Sequence, residues 1–214
     1  MSEFLEHSIT ILPALLRALG TTLQLATLAA LFGIPLGLVI ALGRIAKNRP
    51  LNWLVTGYVT LFRGTPLLLQ LLFFWGVFSQ LSNFQSALIA LTLNAAAYIA
   101  EIMRAAIQSI DRGQMEAART LGMSYGQAMR RIILPQTYRR LLPPMVNELA
   151  ALTKDTSLAM VVGVIELMKQ SQQFVSRTYV ISGTYVWTAI FYLVVVVALT
   201  TLANHLEKKL EARG

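Results

Sequence analysis

The chain has 214 residues, of which 56% are hydrophobic and 13% charged, and its mean hydropathy is +0.60. That balance excludes a water-soluble domain and fits a single bundle of membrane helices. Cysteine is absent, which excludes disulfides, thiolate zinc sites and thiol chemistry; the formal net charge of +8 sits at the ends of apolar runs, which speaks against nucleic-acid binding.

The N-terminal Met-Ser-Glu-Phe-Leu-Glu-His-Ser is acidic, and the apolar run after it is too long for a signal-peptide core, so no cleaved signal is expected. A spanning helix needs about 20 mostly apolar residues. Five stretches qualify: 15–43, 51–78, 86–107, 142–168 and 185–206. The second is interrupted by Arg63-Gly64-Thr65-Pro66, and the fourth contains Glu148, Lys154 and Asp155. There is no internal repeat and no low-complexity segment.

Lysine and arginine set the expected orientation. Arg44, Lys47 and Arg49 follow the first span, Arg112 to Arg140 follow the third, and Lys208, Lys209 and Arg213 end the chain. These regions alternate correctly to share the cytoplasmic side. Residues 1–14 then form an extracytoplasmic segment, 15–208 the transmembrane domain and 209–214 a cytoplasmic tail. The N-terminus is expected outside and the C-terminus inside.

Between the third and fourth spans, residues 111–136 read as two short helices. Asp111 with Gln114, and Ser124 with Gln127, have capping-box spacing. Gly122 can end the first helix in a left-handed conformation. Tyr125, Ala128, Met129 and Ile132 form an apolar stripe at helical spacing, and Pro135 is expected to stop the second helix. Such a helix has two readings: it lies on the anionic inner leaflet, or it docks in a groove of a partner protein.

Ionisable and polar groups inside spans are functional candidates. Asn94, Tyr98, Glu101 and Gln108 fall on one face of the third helix. They contact substrate, or they hydrogen-bond between helices, or Glu101 pairs with Arg104 on its own helix. In the second span, Pro66 removes a backbone donor and pushes Thr65 out of helical geometry. A broken helix at membrane depth suits a cavity wall. The second half then offers its positive end to a carboxylate, with Arg63 or Gln70 nearby. Alternatively, Arg63 snorkels to the interface or pairs with Glu101. In the fourth span, Asp155, Thr156 and Ser157 either line a cavity or act as interhelical glue.

The chain resembles a specific family. Glu116-Ala117-Ala118, Gly122 after three residues and Ile132-x-Leu134-Pro135 after nine more match the cytoplasmic loop of ABC importer permeases. Further matching segments are Thr21-Thr-Leu-Gln-Leu, Phe62-Arg-Gly-Thr-Pro-Leu, Leu91-Thr-Leu-Asn-Ala-Ala-Ala-Tyr, Pro143-Pro, Lys154-Asp-Thr-Ser-Leu-Ala and Ser176-Arg-Thr. Together they make the chain similar to the permease subunits of importers for polar amino acids, from about Leu15 onward. The resemblance implies an all-α integral membrane protein of the type I importer fold, with five transmembrane helices and short cytoplasmic coupling helices.

It also implies a place for each candidate. Glu116, Ala117, Ala118, Gly122, Tyr125, Met129, Ile132 and Pro135 would form the ATPase-coupling loop. Thr60, Arg63, Gln70, Asn94, Tyr98, Glu101, Asp155, Thr156 and Ser157 would line the substrate pathway. The implied partners are an ATP-binding cassette ATPase dimer, a second permease subunit (identical or homologous), an extracytoplasmic amino-acid-binding protein and the lipid bilayer, with no nucleic acid. The implied location is the bacterial inner membrane. No cofactor or metal is expected in this chain, and ATP and Mg belong to the ATPase. The chain is therefore expected to transport rather than to catalyse. Many resembling sequences carry Glu where this chain has Thr60, which disfavours a basic substrate, although Glu101 remains a source of negative charge. A permease for another small solute, or an ATP-independent secondary transporter, are the rival readings.

Overall fold

Apolar runs of spanning length become long helices here. The computed structural model describes the backbone of residues 2–211 and the side chains of residues 9–205, and among these every regular element is helical. Helix α1 (Ser2–Ile45) leads, followed by α2 (Arg49–Gly64), α3 (Leu67–Val77) and α4 (Asn83–Gln108). Two short helices, α5 (Arg112–Thr120) and α6 (Tyr125–Ala128), come next. A π-helical turn (Met129–Ile133) leads into α7 (Leu134–Asp155), and a 3-10 segment (Thr156–Val162) follows it. Helices α8 (Leu167–Thr178) and α9 (Ile181–Glu211) complete the fold.

Two boundaries differ from the expectation. Helix α1 runs through the segment expected to precede the first span, because Ile11 continues the apolar pattern and is buried with Leu15, Ala18 and Leu167. The second span breaks where expected, into two helices bent by 108°. The stretch 142–168 is not one helix: α7 begins at Leu134 and ends at Asp155. There the Thr156 hydroxyl donates to the Thr153 carbonyl at 2.7 Å, and Gly163 turns the chain at φ +85°. Glycine takes that left-handed conformation without the penalty a Cβ brings. By length and composition, three helices and the bent α2–α3 pair are apolar enough to cross a membrane. Helix α7 is long enough but more polar.

Helix α4 is the hub, packing against α1, α2, α3 and α7. Its inward face is built from small residues: Ala87, Ala90, Ala95, Ala96 and Ala100 are all buried. Helix α1 answers with Gly33 and Gly37, one turn apart. In a bilayer no hydrophobic force drives helices together, so close backbone approach supplies the attraction. A Cβ at Gly37 would lie 2.7 Å from Ile99 Cγ2 and 3.1 Å from the Ala96 carbonyl oxygen. The seam is thus closed to any larger residue at Gly37, while at Gly33 a Cβ would meet Ala95 and the Thr92 carbonyl at ordinary contact, 3.5 Å. A second cluster at the other end joins α1, α8 and α9 through Ile11, Leu15, Leu167, Phe174 and Trp187.

This geometry predicts that Gly37→Ala destabilises the chain by about 1–3 kcal/mol through overpacking. Thermal unfolding in detergent checks it. Ile99→Ala should restore part of the loss, because it removes the side-chain clash but not the approach to the Ala96 carbonyl.

Candidate functional site

Pro66 has no N–H, so the carbonyl four residues earlier, that of Phe62, loses its helical donor. Thr65 is extended (φ −118°, ψ 148°), so the helix does not continue through it. Side chains bond the carbonyls at the break. Gln70 Nε2 donates to the Phe62 carbonyl at 2.8 Å, and Asn94 Nδ2 reaches the same oxygen at 3.3 Å. The Thr65 hydroxyl donates to the Leu61 carbonyl at 2.8 Å. Asn94 Nδ2 also donates to Gln70 Oε1 at 2.9 Å, and Gln70 Nε2 contacts the Thr65 hydroxyl at 2.9 Å. Gln70 and Asn94 are buried. Their amides are occupied in holding the break, which is the interhelical reading of these residues.

The rest of the polar stripe on α4 turns toward the other end. The Arg63 guanidinium lies 5.1 Å from the centre of the Tyr98 ring, in cation–π range. It makes no ion pair with Glu101. Glu101 instead bridges Arg44 of α1, at 2.6 Å, and Arg104 on its own helix. Arg104 continues to Gln108. The Glu101 charge is therefore engaged by two arginines and ties α1 to α4. Arg63 is solvent-exposed, as is Thr60.

On α7, Glu148 and Asp155 share a face two turns apart, both half-buried, and neither has a hydrogen bond or ion pair among the described residues. Glu148 lies within electrostatic reach of both Asp155 and Arg63. Thr156 is buried and bonded to its own helix. Ser157 and Lys154 line an open cleft of about 470 Å³ with Tyr185, Thr188 and Tyr192. The candidates thus divide: Gln70, Asn94 and Thr156 serve the backbone, Glu101 serves an ion-pair bridge, and Thr60, Arg63, Tyr98, Asp155 and Ser157 retain accessible surface.

Glu166 was not among the sequence candidates. It is fully buried, caps α8 by accepting from Met168 N (2.9 Å) and Lys169 N (2.7 Å), and accepts from the Tyr192 hydroxyl at 2.8 Å. Thr22 Oγ1 accepts from Leu167 N at 3.1 Å beside it. This knot joins α1, α8 and α9. Its signal in the sequence is one carboxylate just before the polar run Lys169-Gln170-Ser171-Gln172-Gln173.

The loop between α4 and α7 is built by local rules. Asp111 caps α5 by accepting from Gly113 N at 2.6 Å, without the expected reciprocal bond from Gln114. Gln114 instead accepts from Gln136 of α7 at 3.3 Å. Gly122 adopts φ +79°, and Met123 N donates to the Ala118 carbonyl while Gly122 N donates to Arg119. That is the Schellman closure of a helix. Ser124 and Gln127 form the full capping box.

Pro135 does not stop the second helix, contrary to expectation. It sits in the first turn of α7, and the helical path continues through it. The π-turn explains this: Leu134 N bonds back to Met129, five residues away. That wider turn shifts the hydrogen-bond register just where proline cannot donate. The apolar stripe mostly faces inward, with Ala128 buried and Met129 and Ile132 half-buried. The outward apolar pair is Tyr125, 58% exposed, with Leu121, 80% exposed. Leu121 had no place in the stripe. Glu116 and Ala117 are exposed, and Ala118 packs inward.

Comparison with known proteins gives a consistent result. The family model described as the binding-protein-dependent transport system inner membrane component matches residues 33–212. The arginine transport system permease protein ArtQ of Bacillus subtilis is 39% identical, over 97% of this chain and 98% of its own length. The probable glutamine ABC transporter permease protein GlnM of the same organism is 43% identical, over 87% of this chain and 89% of its own. Its L-cystine transport system permease protein TcyB is 39% identical, over 93% and 87% respectively. The crystal structure of an amino acid ABC transporter with histidines superposes with a TM-score of 0.90 at 35% identity, covering 96% of this chain and 98% of that one. The MetNI methionine ABC transporter, at 21% identity and a TM-score of 0.74, shares the fold.

The clamp on the helix break predicts the effect of its removal. Gln70→Ala should cost about 1–3 kcal/mol, because it removes the shorter of the two bonds to the buried Phe62 carbonyl and the amide partner of Asn94. Asn94→Ala should cost more on the Gln70→Ala background than alone, since it then removes the remaining donor to the Phe62 oxygen. A double-mutant cycle of thermal stability measures the coupling.

Proposed function

The chain belongs to the binding-protein-dependent transport inner membrane components, the membrane permeases of ABC importers, and on that premise we propose that it carries a polar amino acid inward through the membrane. It is a transport subunit rather than an enzyme. Its family works with an ATPase and a substrate-binding protein. ATP and Mg sit on the ATPase, and a second permease copy or homologue completes the pore. The loop end of the bundle faces the cytoplasm and the N-terminus faces outside. The observation that carries the reading is the full-length likeness to amino-acid permeases, joined to a loop that presents Leu121 and Tyr125 outward.

The mechanism follows from connectivity. Leu121 and Tyr125 seat in a groove of the ATPase, with Glu116 on the same loop. From Ser124 the helical path runs without a break through the π-turn and α7 to Asp155. Movement of the docked loop is therefore delivered directly to α7. The loop is also tied to both neighbours, by Gln136 to Gln114 and by Arg140 to the Ser109 carbonyl. As α7 rocks, its carboxylates Glu148 and Asp155 move relative to Arg63 and Tyr98 on α2 and α4.

These groups suit a zwitterion. Arg63 offers a free guanidinium to a carboxylate, and Glu148 and Asp155 offer carboxylates to an ammonium. Thr60 and Ser157 add hydroxyls at the accessible surface. Binding there must be weak enough for release, so selectivity rests mostly with the binding protein. Relatives named for arginine, glutamine and cystine transport mark the substrate range.

The test is ATP hydrolysis by the complex in liposomes, as arginine, glutamine, cystine and acidic amino acids are added in turn. One class should stimulate turnover. Leu121→Asp should weaken ATPase association about tenfold or more, as loss of a central apolar anchor does, and abolish the stimulation. Stimulation that survives Leu121→Asp would contradict docking through this loop, and a complex indifferent to every amino acid would contradict the substrate class.

A further inference from the structure

Where α1 hands over to α2, the chain forms an open cleft of about 570 Å³ lined by Lys47, Arg49, Asn52, Trp53 and Thr56. The function described above makes no use of it. Lys47 and Arg49 are exposed, and neither has a hydrogen bond or ion pair among the described residues. This contrasts with Arg44 three residues earlier, which is committed to Glu101. The cleft has a fixed frame. Asn48 caps α2 by accepting from Leu51 N at 3.2 Å, and the Asn52 amide donates to the Arg44 carbonyl. Two unpaired cations are thus held beside an aromatic ring rather than on a loose loop.

Ala46, Pro50 and Trp53 supply the apolar part of the lining, and Trp53 is 80% exposed. Tryptophan next to basic residues at the end of a membrane helix belongs at the headgroup level of a bilayer. The ion pair of Arg44 with Glu101 sets this end of α1 against the last turns of α4, so the cleft lies at the same end of the bundle as the α5–α6 loop. An inner leaflet carries anionic lipids, which attract such cations.

We propose that this cleft is a binding site for an anionic phospholipid, with Lys47 and Arg49 holding the headgroup phosphate and Trp53 and Pro50 lying against the glycerol and upper acyl chain. Charge complementarity selects the occupant: the cleft holds two free cations, and no acidic residue lines it. The proposed orientation serves only to name the inner leaflet. Preference for an anionic headgroup holds whichever way the chain is inserted, and does not depend on which solute is carried.

Tryptophan fluorescence reads the site directly. The complete transporter is placed in phosphatidylcholine nanodiscs that contain a minor fraction of acyl-brominated phosphatidylglycerol, or the same fraction of acyl-brominated phosphatidylcholine. The signal of Trp53 is the difference from a Trp53→Phe complex. Brominated phosphatidylglycerol should quench Trp53 as though enriched roughly tenfold over its bulk fraction, and Lys47→Gln with Arg49→Gln should bring the two lipids to parity. Equal quenching by both lipids in the unaltered complex overturns the proposal, and needs no variant to fold. A preference that survives the double substitution overturns it too. Retention of the ATPase by the double variant shows that its fold is intact.

Discussion

One backbone oxygen organises the middle of this molecule. Pro66 leaves the carbonyl of the buried Phe62 without its helical donor. An unsatisfied carbonyl there costs several kcal/mol. The chain meets this constraint with two amides from two different helices, Gln70 of α3 and Asn94 of α4. The 108° bend is therefore a clamped corner rather than a loose hinge. Because Asn94 reaches it from the hub helix, the corner stays in register with α4, and through the Gly33–Gly37 seam with α1. Rigid α1, α2, α3 and α4 then form the frame against which α7 can move.

Charge is handled with the same economy. Glu101 lies between Arg44 and Arg104, so the end of α1 is pinned to the end of α4. Glu166 is buried at the opposite end, satisfied by two backbone amides and the Tyr192 hydroxyl, and fastens α8 to α9. The groups left over are Arg63, Glu148 and Asp155. They belong to the two sides that the account moves against each other, α2 on one and α7 on the other. Static contacts are satisfied internally, while the groups that remain open are the ones the proposed function assigns to the substrate.

Much of this was legible in sequence because it rests on local rules. Arg63-Gly64-Thr65-Pro66 announced the broken helix, Gly122 the left-handed turn, and Ser124 with Gln127 the capping box. Pro135 misled because the stop rule assumes α-helical hydrogen bonding, and a π-turn changes which donor is missing. Gln114 left its local partner for Gln136, a contact twenty-two residues away that spacing cannot reveal. Glu166 escaped notice since its burial depends on Tyr192, twenty-six residues away on α9, which spacing cannot reveal. Leu121 lies between two helices and so falls outside any periodicity. Spacing puts the polar stripe of α4 on one face, yet its members have separate tasks, set by what each meets on α1, α2 and α3.

The central claim is that movement enters this chain from an ATPase through the loop and leaves as inward transport of an amino acid. It is tested most directly by uptake of a radiolabelled amino acid into sealed proteoliposomes holding this chain, its ATPase and its binding protein. ATP is supplied on the side of the coupling loop, and ionophores collapse every ion gradient. The account predicts uptake that requires ATP and is indifferent to the ionophores. Uptake that proceeds without ATP and stops when the gradients collapse would contradict it.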